Sequence, residues 1–168
     1  MKHPGAVRYS IIAVSIALLD QLSKRLVVYG LNPSDEKNVI DGFFKLVHWG
    51  NTGAAWSMFH GNNEFLAILS LVALLGLILG RKHFAIQSKT GQIAFGCVLG
   101  GIIGNMIDRL FVNHVIDFIR FYFYQRGGEE IGFPAFNVAD MAICTGVGLL
   151  FLLSWQGENK PLETIEAP

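Results

Sequence analysis

Long apolar stretches alternate with polar ones along this chain of 168 residues. Four of them approach the length of about 20 apolar residues that a membrane-crossing helix needs. The first is YSIIAVSIALLDQLSKRLVVYGL, about 9–31, and the second is FLAILSLVALLGLILG, 65–80. The third covers about 92–111 and the fourth about 138–155. The second and fourth are almost free of ionisable side chains, whereas the first and third carry charges toward their later ends. Between the stretches the pattern changes. In 32–64, FFKLVHWGNTGAAW mixes aromatic and β-branched residues with glycines, and the turn-rich NPSDEKN and HGNN flank it. That is the signature of a hairpin or small sheet. In 112–137, VIDFIRFYFY carries aromatics suited to a membrane interface. GGEE and PAFN follow, and Asn137 stands where it would cap the fourth helix. One domain, 1–168, is expected. Both intervening segments are long for turns between helices, and long loops tend to carry function.

Composition strengthens the membrane assignment. Hydrophobic residues make up 52% of the chain and charged residues 15%, where an average soluble domain is nearer a quarter charged; the mean hydropathy is +0.44. The formal net charge is zero and no basic block exists, so nucleic acid is not indicated as a partner. Lys2 and Arg8 precede the first stretch as in a signal peptide, but no small-x-small cleavage site follows, and a retained anchor is expected. Arg81, Lys82 and Lys89 lie between the second and third stretches without an acid. The positive-inside rule puts that loop and the N-terminus on the cytoplasmic side. Four spans then return the C-terminus there and leave 32–64 and 112–137 outside. Gly96, Gly100 and Gly104 recur every fourth residue, a small-residue face that lets another helix approach closely. No repeat of useful length is present.

Ionisable groups inside a membrane are expensive and usually face a protein interior or a water-filled cavity. Asp20 and Lys24, four apart on one helix face, could form a structural ion pair or contact a substrate. Asn105, Asp108 and Arg109 line one stripe. Arg109 beside Asp108 would favour the ionised carboxylate, an anchor rather than a proton shuttle. Arg109 itself could donate to a carbonyl or phosphate, or extend to the outer headgroups. Asp117 alone could be a solvated interfacial acid, and Asp140, three residues after Asn137, an acid at a helix start. Brought together, two such carboxylates would share one proton, and one would activate water while the other protonates a carbonyl. Cys97 and Cys144 fall in apolar segments, lack metal-ligand spacing and are expected to be small core residues. None of the five histidines sits in an HExxH arrangement, so no metal is expected.

In chain order, DQLSK, NTGAAW, GNMIDR, VIDF and FNVAD resemble the motifs of lipoprotein signal peptidase, the type II signal peptidase family of bacteria. The match runs from the first stretch to the start of the fourth. It implies an all-α membrane protein of four transmembrane helices with a small extracytoplasmic β-cradle and a short extracytoplasmic helix. The cradle corresponds to the FFKLVHWGNTGAAW region and the helix to DFIRFYFY. It also implies an intramembrane aspartic endopeptidase of the inner membrane, both termini cytoplasmic and the site near the outer face, cutting diacylglyceryl-modified prolipoproteins before the lipidated cysteine. By that correspondence the catalytic pair is Asp117 and Asp140. Asn51, Gly53, Asn105, Arg109, Asn137, Asp20 and Lys24 would shape the site or contact substrate, and Asp108 would be structural support. Membrane lipid and prolipoprotein are the expected partners, globomycin the expected inhibitor; no cofactor and a monomeric state are expected. Two departures stand out: QRGGEEIG lengthens the connection between the two aspartates, and Trp56 occupies a position where phenylalanine is common. The rival expectation is a small proton- or cation-coupled carrier. It would place acids near mid-membrane within inverted repeats, whereas these acids cluster at the outer ends. A non-catalytic scaffold would explain the glycine face but not the ordered polar motifs.

Overall fold

The computed structural model describes residues 4–53, 58, 59, 61–84 and 86–158. Four helices carry the fold: α1, Pro4–Gly30; α2, Asn63–Leu79; α3, Lys89–Phe111; and α4, Val138–Glu158. They match the four apolar stretches to within a few residues. Between α1 and α2 lie strands β1, Glu36–Ile40, and β2, Phe44–Asn51; between α3 and α4 lie β3, Val115–Tyr124, and β4, Glu130–Gly132. A short 3-10 turn, Arg81–His83, joins α2 to α3. The strands form one antiparallel sheet in the order β1-β2-β3-β4.

Small residues bring α1 and α4 onto α3. A methyl group at Gly100 would stand 2.6 Å from Ala13 O on α1, and one at Gly101 2.5 Å from Ala139 O on α4. Gly96 meets α1 in the same way, and Gly104 lies against both Asp20 and Ala139. The expected glycine face therefore packs on α1, and Gly101 and Gly146 extend the same device to α4. The buried side of α1 is Ala13, Ala17, Asp20, Lys24 and Val27, while Ile11, Val14, Leu18, Leu22 and Leu26 point outward. Large apolar side chains outside and small or polar ones inside reverse the soluble pattern, and a continuous exposed apolar surface marks contact with lipid or another apolar partner. Two helices, Lys89–Phe111 and Val138–Gln156, are by themselves long and apolar enough to cross a membrane.

Two expectations need correction. The described residues of 112–137 hold no helix: DFIRFYFY belongs to β3. Its aromatic and β-branched residues favour an extended chain, and β3 is paired on both sides, with β2 and with β4. NPSDEKN is also not wholly a turn, because β1 begins at Glu36. The turn is confined to its first half, where Asn32 N and Nδ2 donate to Asp35 Oδ2 and Ser34 adopts a left-handed φ of 69°. The exposed EKN residues then extend by pairing with β2. The sequence remark on Trp56 lies outside the described residues.

Candidate active site

Asp117 comes from the middle of the sheet and Asp140 from the first turn of α4. β3 places Asp117 opposite Trp49 of β2, so its side chain turns in over the bundle end and is 4% exposed. At the start of α4, Asn137 and Asp140 bond reciprocally. Asn137 Oδ1 accepts from Asp140 N at 2.9 Å and Asp140 Oδ2 accepts from Asn137 N at 3.2 Å. This is the capping box written with Asn and Asp, and it bears out Asn137 as the cap. Asn137 does more than cap. Its Nδ2 donates to Asp117 Oδ1 at 2.8 Å and to Asn105 Oδ1 at 3.2 Å. Asn105 Nδ2 in turn donates to Asp140 Oδ1 at 2.8 Å, and Asn51 Nδ2 donates to Asp117 Oδ2 at 3.0 Å. Three asparagines thus hold the two carboxylates in one hydrogen-bonded group. Both acids line a single cavity of about 740 Å³. Burial, and behind it the charge of Asp140, pushes the Asp117 carboxyl up to about 7; donation from Asn51 and Asn137 acts in the opposite direction.

Behind this group lies a buried charge cluster. Lys24, 1% exposed, reaches Asp20 Oδ2 at 2.7 Å, Asp108 Oδ2 at 2.8 Å and Asn105 Oδ1 at 3.0 Å. Asp20 Oδ1 accepts from Ala139 N at 2.9 Å, an anion at the N-terminus of α4 where the helix dipole favours it. Asp108 accepts from Gln21 Nε2 at 2.8 Å and from Ile116 N at 3.1 Å, fixing the residue next to Asp117. Asp20 and Lys24 form the ion pair of the two readings, neither lines this cavity, and Asp20 ties the pair to the start of α4. The partner expected for Asp108 is corrected. Its ion pair is with Lys24, since adjacent helical residues point in different directions, and Arg109 acts on it only as a nearby charge.

Arg109 does not extend to the headgroups. It is 9% exposed, and its Nη2 donates to Gly53 O at 2.8 Å and its Nη1 to Asn63 Oδ1 at 3.2 Å. Gly53 N in turn donates to Asn51 Oδ1 at 2.8 Å, so Arg109 and Asn51 fold the 51–53 loop against the carboxylates. Of the expected residues, Asn51, Gly53, Asn105, Arg109, Asp117 and Asp140 line the cavity; Asp20, Lys24, Asp108 and Asn137 support it from behind. The sequence reading missed Gln21 and Asn63, whose partners are 87 and 46 residues away, beyond any local spacing signal. It also missed the apolar walls, Trp49 and Phe133–Phe136 from the sheet side and Met141, Ile143 and Cys144 from α4. Cys144 is exposed and Cys97 half-buried, so neither is the core residue expected.

Residues 12–156 match the family model described as Signal peptidase (SPase) II. The chain is 39% identical over 144 residues to the lipoprotein signal peptidase of Bacillus pumilus, covering 86% of this chain and 90% of that protein. It is 32% identical over 156 residues to the lipoprotein signal peptidase of Anoxybacillus flavithermus, covering 93% and 90%. A solved bacterial membrane enzyme, determined by the in meso method, superposes with a TM-score of 0.77 at 28% identity over 92% of each chain. A second such structure gives 0.68 at 29% identity, covering 87% of this chain and 91% of the other.

Proposed function

The chain belongs to the signal peptidase II family, and on that premise we propose how its geometry cuts a peptide bond. It is a bacterial membrane protease that removes signal peptides from prolipoproteins. Asp117 and Asp140 are its catalytic pair. The observation that carries this is the Asn137 side chain, which bonds Asp117 Oδ1 and the backbone of Asp140 at once and holds both acids at one cavity. The two carboxyls carry one proton between them. The ionised carboxylate takes a proton from water as the water oxygen attacks the scissile carbonyl carbon; the protonated partner gives its proton to the carbonyl oxygen. The resulting gem-diol gives one hydroxyl proton to the ionised carboxylate as the C–N bond breaks, and the leaving nitrogen takes the proton held by the other, so the dyad again carries one proton. No covalent bond to the enzyme forms. An Asp117 carboxyl near 7 supports proton sharing at neutral pH. Arg109 is committed to Gly53 O and Asn63, so its role is to hold the 51–53 loop.

The substrate is the diacylglyceryl-modified precursor, cut just before the lipidated cysteine. Exposed Met141 and Cys144 on the α4 wall support entry of an apolar segment from the lipid side. All four helices cross the inner membrane, with both termini and the Arg81–Lys89 loop cytoplasmic. The Arg8 side chain bonds Gln92 at the start of α3, whereas the two acids lie with the sheet at the opposite end of α3. This polarity agrees with a site at the outer face. The enzyme acts as a monomer without a cofactor and is inhibited by globomycin. The test is cleavage of one precursor in its lipidated and unlipidated forms, with and without a chelator. The lipidated form alone should be cut, at a rate the chelator leaves unchanged. Equal cleavage of both forms would remove the lipid requirement, and loss of activity with chelator would contradict a dyad-only mechanism.

A further inference from the structure

The sheet carries a second charged assembly that the chemistry at Asp117 and Asp140 does not use. Lys45 of β2, 3% exposed, reaches Glu36 Oε2 at 2.6 Å and both carboxylate oxygens of Glu130 at 2.8 Å. Arg120 is the register partner of Lys45 on β3. It reaches Glu130 Oε1 at 3.0 Å and Glu36 Oε1 at 4.0 Å. Two cations and two anions therefore close a ring across all four strands. Single exposed ion pairs contribute little, but pairs joined in a network with one member buried are the exception.

This ring meets the sheet-side wall of the cavity at two places. The Arg120 guanidinium lies 4.5 Å from the centre of the Trp49 ring, and Trp49, the register partner of Asp117, lines the cavity beside it. Among the described residues Arg120 Nε is buried without a hydrogen-bond partner, and the Trp49 face and Glu130 set the plane of the guanidinium. Gly132 leaves room for it, since a methyl group there would stand 2.8 Å from Nε. Glu130 opens β4, which is three residues long and leads directly into the wall residues Phe133–Phe136. The QRGGEEIG connection, with left-handed Gly127 and Gly128 (φ 115° and 83°), thus delivers the glutamate that completes the ring.

We propose that Lys45, Arg120 and Glu130 are positioning residues that fix Trp49 and Phe133–Phe136 on the sheet-side wall of the cavity and so set how the precursor lies against the two aspartates. This rests on that cavity being the cleavage site. None of the three lines the cavity, so loss of the ring weakens precursor binding and leaves the chemical step intact. The test is steady-state kinetics of the full-length membrane-reconstituted enzyme on a lipidated precursor, comparing Glu130→Gln, Arg120→Gln and the double variant. Each single variant should raise KM about fivefold with kcat held within about twofold, and the double variant should be no worse than the weaker single. In an Asp117→Asn background the precursor Kd, read by binding alone, should rise by the same factor. An unchanged KM with a lowered Tm would reduce the ring to a structural brace and overturn the proposal, as would a fall in kcat at constant KM. Cleavage by Asp117→Asn itself would contradict the dyad, while the KM comparison would still decide the ring.

Discussion

Asp117 is an acid whose folded-state pKa of about 7 lies well above the ordinary value near 4. The consequence for activity has a definite sign. If Asp117 and Asp140 act as the proposed pair, loss of the Asp117 proton above about 7 removes the acid that serves the carbonyl oxygen. The rate on a lipidated precursor should therefore fall as pH rises through 7. Stability follows in the same direction. Between about pH 4 and 7 the folded chain holds a proton that the unfolded chain releases, so the contribution is full below about 4 and is lost as pH rises through 7. Melting of the purified protein between pH 5 and 8 should show this slope, and Asp117→Asn should flatten it. A wild-type melting temperature that rises over that interval would contradict the assignment. The acids themselves were legible in the sequence as charges in apolar surroundings, but each alone had an ordinary explanation. Only the ordered motifs joined them. Asp108 was assigned to support with Arg109 as its expected partner; its ion pair is with Lys24, 84 positions earlier in the chain and invisible to local spacing.

Helices were the most legible elements, because apolar length is a direct signal, and the glycine face of α3 was read correctly as a packing surface. That face makes a prediction independent of the chemistry. Gly100→Ala puts a methyl group 2.6 Å from Ala13 O and should cost about 1–3 kcal/mol by forcing α1 away from α3. Gly76→Ala on α2, where no atom of the described residues lies within 4 Å, should leave stability unchanged or slightly raised. Thermal unfolding of the two variants in the same detergent decides this; equal losses would mean that the glycines do not set helix approach. The strands were less legible. FFKLVHWG declared itself through aromatics and β-branched residues, but β1 is a polar edge strand whose conformation comes from pairing with β2. In β3 the same aromatic signal was present, and the resemblance assigned it to a helix; pairing on both sides made it a strand.

Across the whole molecule, the bundle and the sheet divide the work. Close helix packing brings α1, α3 and α4 together, and the buried Lys24 cluster fixes the start of α4 and with it Asp140. The sheet carries Asp117 over that end, and Asn137 joins the two halves. Neither half is a site alone, which is why the carboxylates, 23 positions apart, gave no spacing signal. Only tertiary closure brings them together. The measurement that tests this account most directly is cleavage of a lipidated precursor by membrane-inserted Asp117→Asn, Asp140→Asn and Asp108→Asn beside the wild type. Both dyad variants should insert normally and lose cleavage completely, while Asp108→Asn, which weakens the Lys24 cluster, should retain part of it. Full activity in either dyad variant, or abolished chemistry in Asp108→Asn with Asp117→Asn still active, would contradict the account.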